Sequence, residues 1–102
     1  MINLEQVIQA LDLKVLTEQK PFNEILPTTG YAADLLSCVM TGASRGGLWV
    51  TLQAHSNIVA VAALLELSAI IITEGAQPDE ATIQKANEEG VVLLSSQQDT
   101  YR

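Results

Sequence analysis

Apolar and polar positions fall in blocks along this chain, and the clearest succession of blocks runs from Leu48 to Thr73. Leu48-Trp49-Val50-Thr51-Leu52 is rich in β-branched and aromatic residues and predicts a strand. Residues 58–65 are eight apolar positions without a break and predict a buried helix, after which Ala69-Ile70-Ile71-Ile72-Thr73 predicts a second strand. Two apolar strands joined by a helix form a βαβ unit, with the strands parallel and covered on both faces. Between the first strand and the helix stands Gln53-Ala54-His55-Ser56-Asn57, the most polar corner of the chain. It lies at the carboxyl end of a strand, where open α/β sheets hold their ligands.

The flanking sequence extends the same alternation. Asn3 is placed to cap a first helix whose apolar face is Leu4, Val7, Ile8 and Leu11, ending near Asp12. Lys14-Val15-Leu16-Thr17 predicts a short strand, Pro21 stops any helix, and Phe22 to Leu26 predicts a second strand. From Asp34 the spacing of Leu35, Leu36, Val39 and Met40 predicts another helix, closed by Gly42. Pro78, Asp79 and Glu80 suit the start of a last helix and Gly90 its exit, with Ala81, Ile83 and Ala86 as a thin apolar stripe. Val91 to Leu94 predicts a final buried strand, and residues 95–102 a polar tail. The order α, β, β, α, β, α, β, α, β predicts an α/β sandwich in three layers with a mainly parallel sheet.

Length and charge narrow the functional classes. At 102 residues and 48% hydrophobic, the chain suits a single domain spanning 1–102. A domain this small gains from a second subunit. Its net charge of −7 argues against nucleic acid, which draws affinity from cationic contacts, and Lys14, Lys20, Arg45, Lys85 and Arg102 are too scattered to form a patch for anionic lipid. The longest hydrophobic region is broken by Glu66 and Ser68, short of the ~20 residues of a membrane span. One cysteine, Cys38, and no signal-peptide pattern point to the cytoplasm. Cys38 sits on an apolar helical face as a small core residue, and without a second cysteine or a histidine cluster no metal or other cofactor is expected.

His55 is the single histidine, and three roles are open to it: a general base, a ligand contact, or a corner residue satisfied by hydrogen bonds. Alternation brings Thr51, Gln53 and His55 to one side of an extended segment, where they could converge on one small molecule. Ser56 or Asn57 suits the N-cap of the following helix, whose N–H groups would also favour a phosphate or carboxylate. Asp34 and Ser37 carry the same double reading, cap or contact to ligand or partner, and Thr73 ends the strand beside the corner. Gly42-Ala43-Ser44-Arg45-Gly46-Gly47 lacks the Lys-Ser/Thr pair of a phosphate-binding loop and leads into a strand, so it reads as a surface connection and the chain should not be a kinase. Trp49 and Tyr31 are the aromatics suited to an interface.

Taken in order, residues 29–37 (TGYAADLLS), Val39-Met40, Trp49-Val50-Thr51, the Gln53, His55 and Asn57 corner, Ile70-Ile71-Ile72-Thr73, Pro78-Asp79-Glu80 and residues 90–94 resemble the DRTGG domain family, from about Leu4 to Ser95. The literal string is absent; Pro27-Thr28-Thr29-Gly30-Tyr31 stands in its place. The resemblance implies a fold similar to the N-terminal domain of HPr kinase/phosphorylase, without its kinase domain. It also implies a regulatory or ligand-sensing role, with free-standing members forming homodimers.

Three functions are therefore weighed. The first is a non-catalytic sensing module binding a small anionic or nucleotide-like ligand near Gln53, His55, Ser56, Asn57 and Thr73. The second is a ligand-free interaction or dimerisation subunit docking on a larger enzyme. The third and weakest is a small phosphoryl- or acyl-transfer enzyme, for which the sequence supplies no nucleophile with a base and an orienting group.

Overall fold

A computed structural model describes residues 2–18, 20–28, 30–32, 45–51, 54, 56–73 and 77–96. The elements are α1 (Leu4–Ala10), β1 (Lys14–Val15), β2 (Gly30–Ala32), β3 (Leu48–Thr51), α2 (Asn57–Leu64), β4 (Ala69–Ile72), α3 (Glu80–Glu89) and β5 (Leu93–Ser95), with a 3₁₀ turn at Phe22–Glu24. The five strands form one sheet in the order β1-β5-β4-β3-β2. Strands β2 to β5 run parallel, and β1 closes one edge antiparallel to β5. The expected β3-α2-β4 unit is present, with Trp49 opposite Ile70 and Thr51 opposite Ile72.

Register sorts the strand residues onto two faces. Trp49, Ile70, Ile72 and Leu93 pack with Ile58, Val59 and Ala62 of α2 and Ala86 of α3. Ala69, Ile71 and Leu94, together with half-buried Leu48 and Val50, pack on the other face with Leu4, Leu13 and Phe22. The two crossovers β3-α2-β4 and β4-α3-β5 step the same way across the sheet, so right-handed connections put both helices on one side. Helix α1 and the 3₁₀ turn cover the opposite side, giving the three layers expected.

Local signals explain the helix ends. The Asn3 side chain accepts from Gln6 N at 2.9 Å while Gln6 Oε1 accepts from Asn3 N at 2.9 Å, a reciprocal cap that starts α1. Asp79 caps α3, and Gly90 ends it at φ +74°, the left-handed geometry that glycine adopts without a Cβ penalty. On α3 the buried residues are Thr82 and Ala86, with Ile83 half-buried and Ala81 exposed, so Ile83 and Ala86 keep their expected places and Thr82 stands in for Ala81.

Two strand expectations change. Residues 22–26 do not pair: Ile25 N donates to Phe22 O at 3.2 Å, closing a single turn behind Pro21 that buries Phe22 against the α1 layer. The missing strand is β2, whose Gly-Tyr-Ala sequence has no apolar run and which forms because β3 offers a free edge. The last strand also runs further than expected, through Ser95, with Ser96 still buried. Trp49 is fully buried in the core, so the expectation that it faces an interface is overturned. Nothing described bears on the side chain of Tyr31, and the helix expected from Asp34, with Cys38, lies outside the described residues.

The opposite, amino end of the sheet is stitched by backbone. Gly46 N donates to Glu66 O at 2.8 Å, Thr28 N to Gly46 O at 3.1 Å and Ser68 N to Gly47 O at 2.8 Å. Gly46 has φ +79°, and a Cβ there would stand 3.2 Å from Thr28 Cγ2. Gly46→Ala should therefore destabilise the domain by about 1–3 kcal/mol in urea unfolding. A change within ~0.5 kcal/mol, the usual scatter for a neutral surface substitution, would contradict this geometry.

Candidate functional site

At the carboxyl ends of β3, β4 and β5 the strands stop being apolar. Thr51, Ile72 and Ser95 form one cross-strand row on the α2/α3 face. Thr73 and Ser96 follow one residue on. The ladder continues through them, since Thr73 N donates to Thr51 O at 2.9 Å and Ser96 N to Ile72 O at 2.9 Å. The Thr73 hydroxyl is also directed at Thr51 O, at 3.5 Å.

Among the described residues, buried polarity is confined to this end. Among the described residues the buried polar side chains are Thr51, Thr73, Thr82, Ser95 and Ser96. Four of the five close strands, and the fifth lies in the first turn of α3, which starts at the same end. Thr82 is fully occupied: its N and Oγ1 donate to Asp79 Oδ1 at 2.8 and 2.7 Å. Ser95, only 2% exposed, is different, because its Oγ has no hydrogen-bond partner. A buried hydroxyl left unpaired costs about 1–3 kcal/mol.

The amino end of α2 opens onto the same edge. Ser56 and Asn57 are exposed, and Ser56 occupies the N-cap position. Its backbone, at φ −61° and ψ −22°, is already helical, and its side chain makes no capping bond. The expected structural duty of Ser56 as a side-chain cap is thus not performed. The first turn carries no acidic residue, in contrast to Glu5 of α1 and Glu80 of α3. Among the described residues, no carboxylate and no side-chain cap meets this helix start, and such a start favours an anion.

Of the residues singled out in the sequence, Ser56, Asn57 and Thr73 come to this edge. Gln53, His55, Asp34 and Ser37 lie outside the described residues. Ser95, Ser96 and Thr82 were missed. The available signal was the change from Val91-Val92-Leu93-Leu94 to Ser95-Ser96, which marks the carboxyl end of an apolar strand as readily as the start of a tail. Hydroxyls of this kind both donate and accept without titrating near neutral pH, so they bind rather than transfer protons. Among the described residues no group of three or more His, Cys, Asp or Glu could hold a metal ion, and no helix is long and apolar enough to cross a membrane.

Comparison with known proteins fits this architecture. A profile of the DRTGG domain matches residues 6–102. No curated protein matches the chain in sequence. Among solved structures the chain is similar to the CBS and DRTGG domains of the regulatory region of Clostridium perfringens pyrophosphatase, complexed with its activator diadenosine tetraphosphate. The TM-score is 0.75 at 16% identity, covering 97% of this chain and 43% of that one. The chain thus spans less than half the length of that relative, and the likeness establishes the shared fold.

Proposed function

Because the chain belongs to the DRTGG domain family, we propose that it is a non-catalytic regulatory module that senses a small anionic or nucleotide-like ligand at the carboxyl edge of its sheet. The observation that carries this reading is the confinement of the described buried polar side chains to that one end, beside the start of α2, where Ser56 makes no side-chain cap. Fold stability alone does not require it, since apolar residues would close the strands at lower desolvation cost. The pyrophosphatase regulatory region, with its nucleotide activator, supports the choice of ligand class. In this reading Ser56, Asn57 and Thr73 contribute from the described edge and Gln53 and His55 from the corner before α2, while Asp34 and Ser37 contact ligand or partner. The module works in the cytoplasm as a homodimer and lacks the phosphate-binding loop that phosphoryl transfer would use.

A thermal-shift screen against nucleotides and phosphorylated metabolites tests this. A true ligand at one hundred times its Kd adds about 2.7 kcal/mol, equivalent to a rise of about 10–20 °C in Tm for a domain of this size. His55→Ala should reduce the rise. If no compound moves the Tm and His55→Ala behaves as the parent, the sensing role is lost.

A second reading, a ligand-free subunit docking on a larger enzyme, is favoured by one feature. Leu64 is 68% exposed on the outer side of α2, where Ala60 is exposed as well. Pull-down of a stoichiometric partner by the parent but not by Leu64→Glu, with no ligand response, would select it.

A further inference from the structure

Helices on the surface of a domain turn polar residues outward, as α1 does with Glu5 and Gln9 and α3 with Glu80, Gln84 and Lys85. Helix α2 does not. From Asn57 to Leu65 it has no charged residue, and beyond Asn57 its outward side is Ala60, half-buried Val61 and Leu64. Leu64 is the most exposed of the large hydrophobic residues described. A helix that is apolar all round is one that is covered. We propose that a second copy of this chain covers it, the two α2 helices crossing antiparallel about a twofold axis. This specifies the surface of the homodimer proposed above and rests on that reading.

The pattern along this face is its own complement. Ala60 and Leu64 stand one turn apart on one side of the helix, a small residue beside a protruding one, and both are exposed. In a twofold contact, every residue that meets a second position on the other copy is met in return by that position's counterpart. With the axis between the two positions, Leu64 of each copy fits over Ala60 of the other. Charge selects the same face. Two chains of net charge −7 repel one another, and an uncharged surface brings them together without setting carboxylate against carboxylate. The first charged residue after the helix, Glu66, is already ion-paired with Arg45. An eight-residue helix is only about 12 Å long. Its face falls short of the ~800 Å² per partner of a standard interface, so the dimer is weak, with a Kd in about the micromolar range.

Sedimentation velocity of the full chain over a concentration series tests the proposal, using the parent, Leu64→Glu, Ala60→Lys and an equal mixture of the two variants. The parent should pass from monomer to dimer as concentration rises. Each variant alone should stay monomeric, its Kd raised about a hundredfold or more by an unpaired charge in the contact. Thermal melts should leave both variants close to the parent, since exposed positions tolerate substitution. The mixture should dimerise again, because the introduced carboxylate and ammonium meet across the axis while the remaining Leu64 and Ala60 keep the other contact. A dimeric parent whose variants dimerise as it does, or a mixture that stays monomeric, overturns the α2 contact and leaves the homodimer reading standing. A parent that is monomeric throughout removes both, and capture of a larger enzyme by that monomer through Leu64 would assign the face to the enzyme instead.

Discussion

Replacing Trp49 with alanine should cost the domain about 3–5 kcal/mol, the largest loss expected from any single truncation in the chain. Trp49 is 0% exposed and sits in β3 between the strand core and α2. Its neighbours Ile58, Val59, Ile70 and Leu93 are held by backbone ladders and helix turns, so they close only part of the space the indole leaves. A domain of this size has about 5–15 kcal/mol in total, and the substitution therefore brings it close to unfolding. Urea titration followed by far-UV circular dichroism measures the loss, because the variant has no tryptophan left to fluoresce. A cost below ~1 kcal/mol would contradict the burial of Trp49 in the core.

Ser56→Asp should have the opposite effects on stability and on ligand binding. A carboxylate at the start of α2 faces the positive end of the helix and stabilises it by about 0.3–1 kcal/mol. The same charge stands where the proposed anion docks. Like charges brought together in a binding site cost several kcal/mol, so affinity for a phosphorylated ligand should fall on the order of a hundredfold. The contrast with Ser56→Asn, which adds no charge and should bind within a few-fold of the parent, separates electrostatics from altered shape. Thermal melts give the first effect and calorimetric titration the second. Unchanged affinity in Ser56→Asp would move the anion away from α2.

The two substitutions also show what kind of information each site carries. Ser56 was recognisable because a polar corner before an unbroken apolar helix is a local pattern, and so were the Asn3 cap, the Asp79 start and the Gly90 exit of α3. Each involves groups within a few residues of one another. The β3-α2-β4 unit was recognisable for the same reason: two apolar strands and the helix between them occur consecutively. The role of Ser56 was not, since its side chain fits a cap on paper but its backbone is already helical.

Partners distant in sequence were not recognisable. Residues 30–32 become a strand only because β3 presents an edge, whereas Phe22 to Leu26, of strand-like composition, is drawn into a single turn behind Pro21 that buries Phe22. Lys14 and Val15 pair antiparallel with β5, some eighty residues later, and so fix which strand closes the sheet. Ser95 reads as the beginning of a tail until that pairing, and the one with β4, enclose it on both sides.

The sequence by itself determined the β3-α2-β4 unit, the parallel core around Ile70 to Ile72, the ends of α1 and α3 and the family. Tertiary structure alone decided the sheet order, the burial of Trp49 and the gathering of Thr51, Thr73, Ser95 and Ser96 at one edge. The reason is physical: periodicity and capping are written in near neighbours, whereas burial and strand pairing depend on which distant segments share a face.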